Sequence, residues 1–246
     1  MSVCRGDTNA MLKYEAIANR LREDIQQGKY EPGQQLALEK EMCREFGVSR
    51  ITIKRAVDEL VKQGLVVKRR GSGTFVKTME NEDVRELSMA NQFSGFAATF
   101  AGHDVKTRVL RFDIGHPSEQ VAEKLQLSTE DFVYRIERVR ILDGQPIVIE
   151  YTQMPIQLIP GIRQQVLETS IYHYIEQDLG LHIQSAHRSV RADMPTDRER
   201  EELQIEGTLP ILEVSQVAFL DDGRPFEYSV SRHRGDKSNF RSISVR

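Results

Sequence analysis

The stretch "FGVSRITIKRAVDELVKQGLVVKRRGSGTFV" (Phe46–Val76) decides how this chain is read. After a Gly-Val-Ser break, Ile53, Ala56, Val57, Leu60 and Val61 recur at three- and four-residue spacing. That is the buried stripe of a helix, with Ser49 placed to cap its start and Gly64 to close it. Two β-rich runs then flank a Gly71-Ser72-Gly73 tip, the pattern of a hairpin. The leading edge of the helix carries Ser49, Arg50, Thr52 and Lys54, and the hairpin tip is flanked by Lys68, Arg69 and Arg70. A helix–turn–helix sets the first residues of its second helix against base edges in the major groove. Arg50 suits a bidentate guanine contact, worth about 1–3 kcal/mol of discrimination, while Thr52 and Lys54 suit a thymine methyl or a phosphate. By itself the helix reads equally well as an ordinary amphipathic helix with a solvated basic face. The glycine tip breaks the tie, because it lets backbone approach a phosphate or a narrow minor groove while the neighbouring cations attract it.

Upstream, Tyr14, Ile17, Ala18, Leu21 and Ile25 in "YEAIANRLREDIQQG" share one helical face that Gly28 can terminate. Pro32-Gly33 gives a turn, and "LEKEMCREF" fits a second, shorter helix ending at Gly47. The order is therefore three helices and a basic hairpin within the first 80 residues. Charge follows the same division. Residues 1–79 hold 15 Lys and Arg against 10 Asp and Glu, and the remainder holds 19 against 27, completing the chain's 34 and 37. A basic module joined to an acidic one, in a chain of net charge −3, suggests two partners of different chemistry.

At 246 residues, 39% hydrophobic and 29% charged, the chain reads as globular. No apolar run approaches the ~18 residues of a membrane span. The start has no apolar core of the secretory kind, and Cys4 and Cys43 cannot build a disulfide framework, so the reducing cytoplasm is the expected compartment. The polar, acidic "TMENEDVRELSMAN" (78–91) reads as a linker between a DNA-binding module at 1–77 and a second module at 92–246.

The second module carries a weak internal repeat. "SEQVAEKLQL" (118–127) resembles "TDREREELQI" (196–205), and each is followed by strand–turn–strand around Gly144 or Gly223. "SIYHYIEQDLG" gives a further short helix, and the layout is α+β, antiparallel strands with helices, offering a cleft between the halves. On the first strand, Phe132, Tyr134, Ile136, Arg138, Arg140 and Leu142 share a face. Two arginines on an otherwise apolar face point to a bound anion, unless that end is exposed or both pair with Glu150 or Glu227. Glu150, Glu227 and His233 fall on equivalent faces, where carboxylates suit a hydroxyl-rich ligand or serve as ion-pair partners.

From Tyr14 to Val76 the chain resembles the winged helix–turn–helix of GntR-family transcription regulators. The resemblance implies operator contacts by Arg50, Thr52 and Gly71, and places Lys40 where the family uses an arginine. The family pattern Leu-Pro-Ser-Glu-Arg becomes Leu36-Ala37-Leu38-Glu39-Lys40, without the capping Ser. Losing such a cap costs about 1 kcal/mol, and Lys replaces a planar fork with a point charge. The remainder, through "RIERVRILDGQPIVIEYTQMP", "SIYHYIEQDLG" and "GRPFEYSVSRHRGD", is similar to the UTRA effector-binding domain of the HutC subfamily, whose fold is shared with chorismate lyase. The likeness implies a phosphate grip by Arg138, Arg140, Ser94, Ser170 and Tyr172, and a sugar side formed by Phe93, Glu150 and Glu227. His233 stands where such members usually carry Tyr, and Gly95 where an acidic residue is common.

The expected function is a homodimeric transcription regulator, a repressor, binding double-stranded operator DNA under control of a small phosphorylated effector, with a sugar phosphate ahead of other anionic metabolites. No metal-ligand spacing or nucleophile motif appears, so no metal, cofactor, enzymatic activity or membrane partner is expected.

Overall fold

The computed structural model describes residues 13–77, 86–88, 96, 100 and 102–241. The chain divides into two compact units. In the first, α1 (Lys13–Gln26), α2 (Glu39–Phe46) and α3 (Arg50–Lys62) precede a hairpin of β1 (Val66–Arg69) and β2 (Gly73–Val76). The stripe read from the sequence is the core: Ile53, Ala56, Val57 and Leu60 of α3 are fully buried against Ile17, Ala18 and Leu21 of α1 and Met42 of α2. Gly47 ends α2 at φ 62°, a left-handed cap that a side chain would strain. The Ser49 hydroxyl accepts from the Thr52 amide at 3.3 Å, so the cap of α3 is in place. At α2 the missing Ser is partly offset from the other side, because the Glu41 carboxylate accepts from the Leu38 amide at 2.9 Å.

The wing is held by the segment before α2. Leu36 N–H donates to the Thr74 carbonyl at 2.8 Å, and Gln35 forms a bridge with Phe75. Gln35 Nε2 donates to the Ser72 carbonyl at 2.8 Å, over Gly73. A Cβ at Gly73 would stand 2.3 Å from that nitrogen and displace the Gln35 side chain, but it is the φ of 122° that calls for glycine there.

The second unit contains β3 (Glu86–Ser88), β4 (Val105–Gly115), α4 (Glu119–Leu125), β5 (Val133–Leu142), β6 (Gln145–Pro155), α5 (Gln164–Glu168), α6 (Ile171–His173) continued by a π turn (Tyr174–Asp178), β7 (Ile183–Asp193), α7 (Asp197–Glu202), β8 (Ile211–Leu220), β9 (Pro225–Arg234) and β10 (Asn239–Arg241). Strand β3 falls inside the stretch read as a linker and pairs in parallel with β10. The main sheet is antiparallel, in the order β4-β5-β6-β9-β8-β7.

That order makes the repeat larger than the sequence suggested. Each half is strand–helix–strand–strand, β4-α4-β5-β6 and β7-α7-β8-β9, and the halves join at β6 and β9. Local details repeat too. Ser118 and Thr196 cap α4 and α7, and Gln126 and Gln204 leave those helices at φ 54° and 53°. The opening strands β4 and β7 escaped the sequence reading because they lie on the sheet's edges, where charged and apolar residues alternate under partial exposure.

Helix α4 and the turn that closes α7 cover one face of the sheet, Val121 and Leu125 against Val133, and Leu203 and Ile205 against Val139, Ile149 and Ile211. On the other face Tyr134, Ile136, Met154, Ala218 and Phe226 pack under Ile159, Ile162, Leu167, Ile171 and Ile175. Phe132 departs from the expected face: it precedes β5, stays 51% exposed and sits 4.4 Å from the His116 ring. Phe226 is the largest side chain buried with no exposure among the described residues. Phe226→Ala should cost the unit about 3–5 kcal/mol, read from its urea midpoint, and Phe226→Leu much less.

Candidate DNA-reading face and effector pocket

On α3 the exposed side chains of the first turns are Arg50, Ile51, Lys54 and Arg55. Arg50 Nε donates to Glu39 Oε2 at 2.8 Å, from a side chain 82% exposed. The pair spends one edge of the fork and leaves both Nη groups to face a guanine. Thr52 is half-buried, and its hydroxyl lies 2.9 Å from that of Ser49, so both hydroxyls are engaged within the cap. Lys40 is exposed in the first turn of α2. On the wing, Lys68 pairs with Asp58 at 2.6 Å, the Arg69 guanidinium lies 4.5 Å over the Phe75 ring, and Arg70 and Gly71 are exposed at the tip.

In the second unit the sheet register creates the pocket. On the face opposite α4 and α7 the apolar rows give way to polar ones. One row runs Ile136, Thr152, Ser229, Gln216, Arg188 across five strands; the next runs Arg138, Glu150, Ser231, Val214; the third runs Arg140, Val148, His233. All of these but Ile136 and Val148, together with Phe96, Phe100, Ser170, Tyr172 and Glu227, line a cavity of about 150 Å3, roughly ten times the space one water needs.

The two arginines are not equivalent. Arg138 is anchored: its Nη2 donates to Glu150 Oε2 at 2.7 Å and its Nη1 to the Leu167 carbonyl at 3.0 Å. Arg140 is 3% exposed, lies 4.9 Å over the Phe96 ring, and has no hydrogen-bond acceptor among the described residues. Burial lowers its pKa to about 10 despite the pull of Glu150, with Arg138 adding to the fall. The expected pairing with Glu150 thus holds for Arg138, and neither arginine is bound to Glu227. Burial would raise the Glu150 carboxyl, but Arg138, Arg140 and His233 together hold it below its ordinary value.

Glu227 sits in a separate network. Its Oε1 accepts from Tyr172 (3.1 Å), Gln216 (2.7 Å) and Ser229 (2.8 Å). Gln216 also donates to the Tyr172 hydroxyl and accepts from Arg188 Nε. Burial raises Glu227, and the three donors only partly offset it. Burial likewise takes Tyr172 well above its ordinary value, with Glu227 adding to the rise. Ser170 caps α6, accepting from the His173 amide at 3.2 Å. Phe93, Ser94 and Gly95 lie outside the described residues. The structure thus brings Arg138, Arg140, Glu150, Ser170, Tyr172, Glu227 and His233 into one cavity. The sequence reading missed Phe96, Phe100, Arg188, Gln216 and Ser229. Gln216 was within reach, because it is the sixth residue of β8 as Arg138 is of β5.

A three-helix unit with a basic wing and an exposed recognition helix defines a DNA-binding transcription regulator. The comparisons agree. The gntR family model of bacterial regulatory proteins matches residues 13–76 and the UTRA domain model matches residues 101–239. The regulator GmuR of Bacillus subtilis (strain 168) is 40% identical over 96% of this chain and 100% of its own. The mannosyl-D-glycerate transport/metabolism system repressor MngR of Escherichia coli (strain K12) is 35% identical over 95% of this chain and 96% of its own. The crystal structure of the possible transcriptional regulator YydK from Bacillus subtilis superposes with a TM-score of 0.80 at 27% identity, covering 96% of this chain and all of that one. The chain belongs to the GntR family of transcription regulators, in its HutC subfamily, and carries a UTRA domain. No helix among the described residues is long and apolar enough to cross a membrane.

His233 gives the pocket a pH signature. It is 6% exposed, and burial lowers it to about 4 against the opposing pull of Glu150. A histidine depressed in the fold contributes stability that is present above its unfolded pKa near 6.5 and is lost as pH falls toward 4. Glu227, raised in the fold, works in the opposite direction, so the effect of His233 is isolated by comparing variant with parent. Between pH 7 and pH 5 the parent should lose about 2 kcal/mol more than His233→Gln, measured by urea unfolding at the two pH values.

Proposed function

We propose that this regulator is a dimeric, operator-binding repressor whose DNA affinity is set by a small phosphorylated sugar held in the UTRA pocket. The observation that carries the reading is Arg140. A buried guanidinium with no acceptor among the described residues is costly, and an anion in the cavity would supply the missing charge and hydrogen bonds. Arg138, already neutralised by Glu150, would add a second donor edge, with Ser170, Tyr172 and Ser94 as further phosphate partners. Glu150, Glu227 and the neutral imidazole of His233 would take sugar hydroxyls. Relatives named for mannosyl-D-glycerate metabolism and as the trehalose regulator TreR of Bacillus subtilis support a carbohydrate ligand. Two-fold symmetry would match a pseudo-palindromic operator. The ligand would act by favouring one arrangement of the paired DNA-binding units over another.

Gel shifts on the chain's own upstream DNA, with and without a panel of hexose phosphates, test the proposal directly. A specific complex that one phosphate releases is expected; an upstream region without any specific complex would sink the regulator assignment. Arg140→Met separates the pocket from the fold. Without ligand its thermal midpoint should equal or exceed the parent's, because an uncompensated buried charge is gone. The parent should gain about 2.7 kcal/mol at a hundredfold excess of ligand over Kd, and Arg140→Met nothing, with DNA affinity unchanged. Equal ligand stabilisation of both proteins would refute the role given to Arg140.

A further inference from the structure

Ile51 stands out on the reading edge of α3. It is 69% exposed, whereas Ile53, two residues on, is fully buried. It belongs neither to the core of the first unit nor to the residues packed against it. Glu39, Arg50 and Lys54 share a shallow depression with it, so a bare aliphatic side chain is set among three charges. Local structure gives no reason for this. A β-branched residue forms helix less well than the Lys, Glu or Gln usual on a solvated face, and Ser49 already caps the turn. The major groove offers one apolar group for such a side chain, the 5-methyl of thymine.

Thr52, whose methyl would suit the same contact, is half-buried with its hydroxyl turned to Ser49. Arg50 directly precedes Ile51, and Lys54 follows it by three residues, nearly one turn on; all three side chains are exposed. A guanine contact by Arg50 would therefore bring Ile51 over a neighbouring base pair. We propose that Ile51 is a specificity-determining residue that packs on a thymine methyl beside the pair read by Arg50, once per half-site. The inference rests on α3 being the helix that enters the groove.

The test uses the full chain. Duplexes are first selected from a randomised library by the parent protein, and each thymine of the selected site is then replaced singly by deoxyuridine, which removes only the methyl. At one thymine per half-site the parent should lose about four-fold in Kd, the affinity carried by one buried methyl-sized group. Ile51→Ala should bind the unmodified site at least four-fold more weakly and be indifferent to deoxyuridine there. Its exposure means that the substitution leaves the core intact, and an unchanged thermal midpoint checks this. If the parent selects a sequence but no thymine shows the effect, or Ile51→Ala stays as sensitive as the parent, the inference is wrong. It is wrong too if Thr52→Ser abolishes the sensitivity instead. A parent that selects no sequence overturns the groove-helix reading itself, and the inference with it.

Discussion

The register of the seam between β6 and β9 is the constraint on which the second unit depends. Glu150 faces Ser231, Thr152 faces Ser229, and Val148 faces His233. Those pairings carry the polar rows of β5 and β6 onto β9 and β8. A slip of one residue at the seam would turn every one of these side chains to the opposite face, among the apolar contacts under α4 and α7. Register is well specified here because both faces are committed. One packs Val139, Ile149 and Ile211 beneath helices, and the other packs Ile136, Met154 and Phe226 beneath the α5–α6 segment. The pocket is the patch of the second face where apolar packing stops.

Within that patch, charge is arranged unevenly, and the unevenness is what makes it a candidate site. Arg138 and Glu150 form a pair with a backbone carbonyl as third partner, leaving only the Arg138 Nε without an acceptor among the described residues. Glu227 is satisfied by three donors on one oxygen. Arg140 alone is buried with a ring for company and no acceptor among the described residues. A folded protein retains such a group at a cost to stability, which is the signature expected of function. The DNA-binding unit shows a similar division between side chains that hold the fold and side chains that face outward. Ser49, Thr52 and Glu41 serve helix ends, whereas Arg50 and Ile51 project outward with little packing of their own.

Much of this was legible in the chain itself. The helices of the first unit, their glycine stops and the wing follow from apolar spacing and turn chemistry, which act over a few residues and so leave their mark in a local window. The repeat announced itself through Leu125 and Leu203 and the two turn glycines. The arginines of β5 were visible because a period of two puts them on an apolar face. Strands β4 and β7 were not visible, since an edge strand is half-exposed and its pattern is diluted by charge.

Sequence by itself determined the helices and wing of the first unit, the paired hairpins of the second and several polar residues available to a site, because these depend on short-range spacing. Tertiary structure alone decided which of those residues are partners. Glu150 sits twelve residues from Arg138 and Glu227 more distant still; only the antiparallel pairing of β5 with β6 gives Glu150 to Arg138 and leaves Arg140 without an acceptor among the described residues. Likewise only the packing of α2 beside α3 ties Glu39 to Arg50, and turns Ile51 outward while Ile53 is buried. Partner choice is a matter of distances across the fold, and no local pattern encodes those.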